Sequence, residues 1–537
     1  MSIRKRKITI PLVIIFLLLV LLWLLWPFAD KSFEIVPDKQ KIKEKEAFLN
    51  APVNHQEAKR PNIIILLADD LGKTDIPLYG NKVVQTPNIN QLAKEGTTFT
   101  EGYVSAPICS PSRAGLLTGR YQQRFGYEFQ PVNRYFSNRL ERIILNKAFD
   151  LQELEFDSQN HVPDKQAIAR QGLPDQEITI AELLKKNGYA TAITGKWHLG
   201  FSPQFSPLKH GFDYFFGFNE AYAWYTDTAN TVNVHHKGIM DSHIWETGNT
   251  GTSQKQRNGK SIYEKDFYTN AIAREATAFI DRNKQRPFLL YVPFNAPHTP
   301  FQASKVDVKK YQDRGVADLN KAVYYTLISG LDNAIGQILA KVKAEGLENN
   351  TLIFFLSDNG GATYTHATSN APLRGGKMSL YEGGLNIPFI IKWTGHLPSG
   401  ATFDRPVTSL DIFATAAAVS SSVLPANKYD GVNLVPYLTH RDTSAPHKIL
   451  YWRAGQNKAI RKGDWKLVLN LKDNITALYN LHSDKVEQNN LAAKKPGIVA
   501  QLKQDLANWE ATLQAPLWPS SGFYKNITDG KTDRFPL

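Results

Sequence analysis

The chain has 537 residues, of which 42% are hydrophobic and 11% aromatic, enough for a full core and more than one domain. Its single cysteine excludes intramolecular disulfides, so packing must supply the stability. The formal charge of +13 suits an anionic partner, and no nucleic-acid-binding module is recognisable, which leaves an anionic small or polymeric substrate.

Arg4, Lys5, Arg6 and Lys7 precede an apolar run from Ile8 to Trp26. At about 1.5 Å per residue the run spans roughly 28 Å, close to one bilayer core. The basic cluster keeps that end in the cytoplasm and places the remainder outside. The run ends Leu25-Trp26-Pro27-Phe28-Ala29, a poor cleavage site, so an uncleaved signal anchor over residues 1–29 is expected. The rest of the chain then lies on the periplasmic or extracellular side, or is secreted if the segment is cleaved. Residues 30–60 are rich in Lys, Glu, Asp and Gln and read as a charged linker.

From Pro61 strands and helices alternate. Ile63 to Ala68 is a continuous apolar run, the pattern of a strand buried on both faces. Thr86-Pro87-Asn88 opens a helix that Gly96 closes, and Thr179 with Glu182 forms a capping box for a helix ending at Gly188. Strands follow at Tyr189–Thr194, Phe288–Val292 and Leu352–Leu356, with long helices over Glu264–Asn283 and Leu319–Glu345. The alternation predicts an α/β fold with a large, mostly parallel central sheet flanked by helices, over residues 61–443. Beyond Ser444, short antiparallel strands at Tyr451–Arg453, Lys458–Arg461 and Trp465–Leu469 and a helix at Ile498–Leu513 predict a smaller α+β domain over 444–537.

Four polar clusters carry the chemistry, each following a predicted strand: Asp69-Asp70, Gly195-Lys196-Trp197-His198, Asn295-Ala296-Pro297-His298 and Ser357-Asp358-Asn359-Gly360-Gly361. In open α/β sheets, sites lie beyond the carboxyl ends of the strands. Taken singly, Asp-Asp reads equally well as a cap and Asp-Asn-Gly-Gly as a turn. Brought together, Asp69, Asp70, Asp358 and Asn359 form a hard-oxygen set suited to Ca²⁺ or Mg²⁺. Lys196, His198, His298 and Lys377, the last in Leu373-Arg374-Gly375-Gly376-Lys377, add cationic and proton-transfer groups for a tetrahedral oxyanion such as sulfate or phosphate. The lone Cys109 opens Cys109-Ser110-Pro111-Ser112-Arg113 at a predicted helix start, where backbone N–H groups favour negative charge. On its own it reads as a nucleophile precursor or as a buried inert thiol.

Cys-x-Pro-Ser-Arg followed by Ala-Gly-Leu-Leu-Thr-Gly-Arg, and Gly-Lys-Trp-His-Leu-Gly at 195–200, resemble the signatures of the type I sulfatases of the alkaline-phosphatase-like superfamily. Ala459 to Leu467 and Leu478 to Leu481 are similar to that family's second domain. The resemblance runs from about Pro61 to the C-terminus. It implies that a formylglycine-generating maturation enzyme oxidises Cys109 to Cα-formylglycine, whose hydrate joins Asp69, Asp70, Asp358 and Asn359 around a divalent metal, Ca²⁺ or alternatively Mg²⁺. One hydroxyl of the hydrate would attack sulfur and the other would expel sulfate. Arg113 and Lys196 would stabilise the hydrate, His198 would act as base, and His298 and Lys377 would hold the sulfate and assist the leaving oxygen.

Two positions depart from the family pattern: Lys73 stands where an aromatic is frequent, and Asn386 where relatives often carry Arg. The segments Tyr127–Glu177 and Tyr222–Lys260, the latter with Trp224, Tyr225, His235, His236 and Lys237, are candidate subsites for a sulfated sugar or ordinary exposed loops. Basic charge and an export signal favour a sulfated polysaccharide, with algal galactans such as carrageenan first. A phosphoester or phosphonate hydrolase of the same superfamily, or a non-catalytic binder of sulfated glycan, are the alternatives.

Overall fold

The computed structural model describes residues 4–27, 33–53, 60–132, 138–150, 154–156, 165–227, 229–235, 239–528 and 530–537. A ten-stranded sheet forms its centre, in the order Ala401–Phe403, Thr97–Phe99, Phe389–Lys392, Thr351–Ser357, Asn62–Ala68, Phe288–Pro293, Ala190–Lys196, Tyr214–Phe218, Gln256–Arg257 and Lys260–Ser261. The five strands from Thr351–Ser357 to Tyr214–Phe218 run parallel, and the Phe389–Lys392 and Gln256–Arg257 strands pair antiparallel at either side. All five therefore deliver their carboxyl ends to one edge.

The central strands are buried on both faces, which is why Asn62–Ala68, Phe288–Pro293 and Thr351–Ser357 read as largely apolar runs. Ile63, Ile65 and Leu67 pack with Tyr291, Phe354 and Leu356 on one side. Ile64 and Leu66 pack with Leu290, Val292 and Phe355 on the other, against the helices Tyr268–Asn283 and Leu319–Ala344. The expected capping box is present: Thr179 Oγ1 accepts from Glu182 N at 3.1 Å, and Glu182 Oε2 accepts from Thr179 N at 2.9 Å.

The C-terminal part holds a four-stranded antiparallel sheet, Ile449–Ala454, Asn457–Lys462, Trp465–Asn470 and Ile475–Asn480, with the helix Pro496–Glu510 packed on it. A terminal hairpin, Gly522–Thr528 with Lys531–Pro536, was not expected from the sequence.

Two N-terminal features differ from expectation. Within residues 30–60, Lys39–Asn50 is a helix, and Lys45 Nζ lies 2.6 Å from Glu182 and 2.7 Å from the Glu177 carbonyl. The apolar run forms the helix Arg4–Leu25, with its side chains from Leu12 to Trp26 mostly exposed. Among the described residues no helix is long and apolar enough to cross a membrane, so the expected transmembrane anchor is not supported.

Candidate active site

The parallel strands bring the four polar clusters together as their carboxyl ends require. Asp69 and Asp70 follow Asn62–Ala68, and the register is locked to the next strand: Asp358 N donates to Ala68 O at 3.1 Å, and Asp70 N to Asp358 Oδ1 at 3.2 Å. Asp70 takes a left-handed φ of 63°, a conformation aspartate tolerates better than most residues. Gly195 has a φ of +135°, and a Cβ there would lie 1.9 Å from the Pro293 carbonyl. Glycine is thus needed for Lys196 to pass close beside the neighbouring strand.

Cys109 opens the helix Cys109–Thr118, every residue of which is buried. Its Sγ lies 3.5 Å from Asp69 Oδ1 and 3.7 Å from Asp70 Oδ1. One turn on, Arg113 donates from Nε and Nη2 to Asp358 Oδ2 at 2.9 and 2.7 Å, and from Nη1 to the Lys196 carbonyl at 3.1 Å. Lys196 Nζ reaches Asp69 Oδ2 at 2.7 Å. Lys377 Nζ reaches Asp70 Oδ2 at 2.8 Å and lies 3.2 Å from His298 Nε2. The other ring nitrogen of His298 faces the Thr299 carbonyl at 2.6 Å. A carbonyl only accepts, so Nδ1 carries the proton and Nε2 presents a lone pair to Lys377.

Burial and charge set the protonation states. Burial alone would raise both Asp69 and Asp70, but Lys196 and Lys377 respectively, with His298, hold them below the usual carboxylate range. Asp358 is raised, because burial and the Asp69 charge outweigh Arg113. Burial pushes the Cys109 thiol well up, so it is no ready thiolate. His198 is held well below its ordinary value by burial and by the cations Lys196, Arg113 and Lys377. Its imidazole is therefore neutral.

Asp69, Asp70, Cys109 and His298 place one potential ligand atom each within 4.8 Å of one another. Asn359 donates from Nδ2 to Asp70 Oδ1 at 2.7 Å, while its buried Oδ1 has no hydrogen-bond partner. An orphaned hard oxygen beside two ionised carboxylates fits a hard divalent cation. His298 joins this cluster, whereas Asp358 has both carboxylate oxygens engaged by Arg113 and the Asp70 amide.

The Sulfatase family model matches residues 61–421. The chain belongs to the sulfatase family. This sulfatase is 34% identical over 415 residues to N-acetylgalactosamine-6-sulfatase of Canis lupus familiaris, covering 76% of the chain and 71% of that protein. It is 31% identical to human steryl-sulfatase, covering 77% of the chain and 75% of that protein. It is also similar to the crystal structure of Ps i-CgsB in complex with k-i-k-neocarrahexaose, with a TM-score of 0.71 and 31% identity over 86% of the chain and 94% of the other.

All ten expected site residues of the sulfatase meet at this edge of the sheet. The supporting residues were not expected. Ser110 Oγ donates to the His198 carbonyl at 2.6 Å and accepts from the Tyr127 hydroxyl at 2.6 Å, tying the Cys109 turn to the His198 loop. The Tyr225 hydroxyl lies 2.9 and 2.8 Å from the carbonyls of Asn295 and His298. Tyr225 was expected to be a candidate sugar platform, but it is buried and braces the His298 loop instead. Trp224 packs against Trp245 at 6.0 Å, and His236 and Lys237 lie outside the described residues. Asp75 accepts from Tyr324 at 2.7 Å and Thr368 at 2.8 Å behind the Asp70 turn. None of these carries a motif by which the sequence marks it.

Proposed function

We propose that this sulfatase removes sulfate esters from a sulfated polysaccharide or oligosaccharide, with an algal galactan such as carrageenan as the favoured substrate. The observation that carries the chemistry is the buried contact of Cys109 with Asp69 and Asp70, ringed by Arg113, Lys196 and Lys377. The substrate class is supported by the similarity to a protein crystallised with k-i-k-neocarrahexaose, together with the chain's charge of +13. The similarity to N-acetylgalactosamine-6-sulfatase keeps sulfated animal glycans as a second candidate class.

Conversion of Cys109 to formylglycine by a maturation enzyme would supply the nucleophile that a high-pKa thiol does not. Asp69, Asp70, Asp358 and Asn359, with residue 109, would hold Ca²⁺ or Mg²⁺, which supplies Lewis acidity and charge neutralisation at the sulfate. The chain's own groups divide the remaining work. Lys377 Nζ, held protonated by Asp70 against the effect of burial, carries the proton that a departing alkoxide needs. His298 Nε2 stands beside it and, accepting from the ammonium, orients Lys377. Lys196 and Arg113 hold positive charge at Asp69 and Asp358, against residue 109. His198, neutral and with a buried Nδ1 that has no hydrogen-bond partner, is in the state a general base requires. We also propose that the catalytic part works outside the cytoplasm, carried there by the N-terminal segment. Cell fractionation with and without residues 1–29 tests this: the truncated chain is expected to stay in the cytoplasmic fraction, and unchanged partitioning would refute it.

For the reaction, mass spectrometry of the Cys109 peptide from the native host should show the aldehyde or its hydrate, and only unmodified thiol would overturn the reading. Cys109→Ala should lower sulfate release at least about 10³-fold, as loss of a nucleophile does. Chelation should abolish turnover of the matured chain, with Ca²⁺ or Mg²⁺ restoring it. Phosphate-ester turnover exceeding sulfate-ester turnover would favour the phosphohydrolase reading instead.

A further inference from the structure

Near Lys377, a cavity of about 550 Å³ is lined by the loop that leads to that residue and by the C-terminal hairpin. Tyr364, His366, Arg374, Gln488, Tyr524 and Asn526 are among the residues that line it. Its volume falls within the roughly 300–1,000 Å³ common for small-molecule sites. One lining residue, Tyr364, adjoins the catalytic machinery. The Tyr364 ring centroid lies 6.0 Å from Lys377 Nζ, the atom that reaches Asp70 at 2.8 Å.

The walls are preset. Tyr364 and Tyr524 meet at 5.7 Å with a 60° interplanar angle. Asn526 Nδ2 donates to the Met378 carbonyl at 2.9 Å, pinning the hairpin to the residue after Lys377. Arg374 lies over the Tyr381 ring at 4.6 Å and donates to the Glu487 carbonyl at 2.7 Å. Groups fixed before binding lose little entropy when a ligand arrives. The lining combines the half-buried Tyr364 ring, backed by the buried Tyr524, with a guanidinium, an imidazole and two amides. That suits a ligand with apolar C–H faces, many hydroxyls and an anionic ester, which is a sulfated pyranose.

We propose that this cavity is the subsite for the saccharide unit adjacent to the one whose sulfate is removed, so that the C-terminal hairpin takes part in substrate selection. The proposal rests on the sulfated-glycan reading above. It assigns selectivity to residues that line this cavity, among them Tyr364, His366, Arg374, Gln488, Tyr524 and Asn526.

The test uses the full, matured chain with four substrates: 4-nitrophenyl sulfate, k-i-k-neocarrahexaose, a chondroitin 6-sulfate hexasaccharide and a heparin hexasaccharide. The quantity read is kcat/KM for the best glycan divided by kcat/KM for 4-nitrophenyl sulfate. Tyr524→Ala should lower this ratio at least tenfold, chiefly through a raised glycan KM. The double variant His366→Ala/Gln488→Ala changes two exposed side chains, so it stands if Tyr524→Ala does not fold; it should lower the ratio at least threefold. An unchanged ratio in the double variant overturns the proposal. So does a native chain that turns over 4-nitrophenyl sulfate but prefers none of the three glycans to it. Absence of sulfate release from all four substrates would instead remove the sulfate-ester reading itself, and this proposal with it.

Discussion

Lys73 and Asn386, the two departures from the family pattern, form one unit. Lys73 Nζ donates to Asn386 Oδ1 at 2.6 Å and to the Thr100 carbonyl, and lies 4.8 Å from the Tyr79 ring centroid. Asn386 Nδ2 in turn donates to Glu382 at 3.0 Å. The cation that position 386 lacks is thus supplied by position 73, from a different strand end. Burial pushes Lys73 down from 10.5 to about 7, with Glu382 opposing the shift. Its folded pKa lies below its unfolded one, so the buried charge is a cost at low pH that is relieved as the proton leaves. Between about pH 7 and 10.5 the unfolded chain holds more protons at this site, and stability rises with pH. Lys73→Met should remove up to about 1.4 kcal/mol per pH unit of that rise. Urea unfolding of both chains at pH 7, 8 and 9 checks it; parallel stability–pH curves would contradict the assignment. The two residues stand out in the sequence only as separate oddities, because they lie 313 positions apart.

At the scale of elements, what could be read in the sequence had local causes. The strand Asn62–Ala68 is an apolar run because helices cover both sheet faces, and the helix Ile180–Lys186 starts where its capping box says. Thr179→Ala should lower stability by about 1 kcal/mol, seen as a lower urea midpoint with an unchanged slope, and Thr179→Ser should recover most of it. The cap also reaches outward, since Thr179 Oγ1 donates to the His210 carbonyl at 2.7 Å. The helix Lys39–Asn50 was missed for the opposite reason. Its sequence is mostly polar, and its placement depends on Lys45 meeting Glu182 and the Glu177 carbonyl. Such a contact has no signature in a window of ten residues. The terminal hairpin was missed likewise, as its inner neighbours are Leu154–Phe156 and the loop at Met378.

Across the whole molecule, Lys466 joins the two parts of the chain. It is fully buried in the C-terminal sheet and lies 2.8 Å from both Glu382, beside the Lys73–Asn386 pair, and Glu487. Glu382 also accepts from the Tyr103 hydroxyl at 2.8 Å, and Arg461 Nη1 donates to that same hydroxyl. Removing the ammonium leaves two buried carboxylates without their cation. Lys466→Met should therefore cost about 3–5 kcal/mol, the range for breaking a buried pair. The loss should appear as one cooperative transition at lower urea, with sulfate release lost in the same transition. Two separate transitions would show that the parts unfold independently. By itself the sequence determined the chemistry on offer: the Cys109 motif, the polar strand ends and the alternation that makes their convergence a consequence of a parallel sheet. These are short-range signals, set by backbone periodicity and turn geometry within a few residues. Only the tertiary structure decided which cation faces which carboxylate, that Tyr225 braces a loop, that Lys73 serves Asn386 and that the chain's last hairpin walls a cavity beside the catalytic site. Those pairings are set by strand order and by desolvation at contacts between distant segments, and neither is written in local pattern.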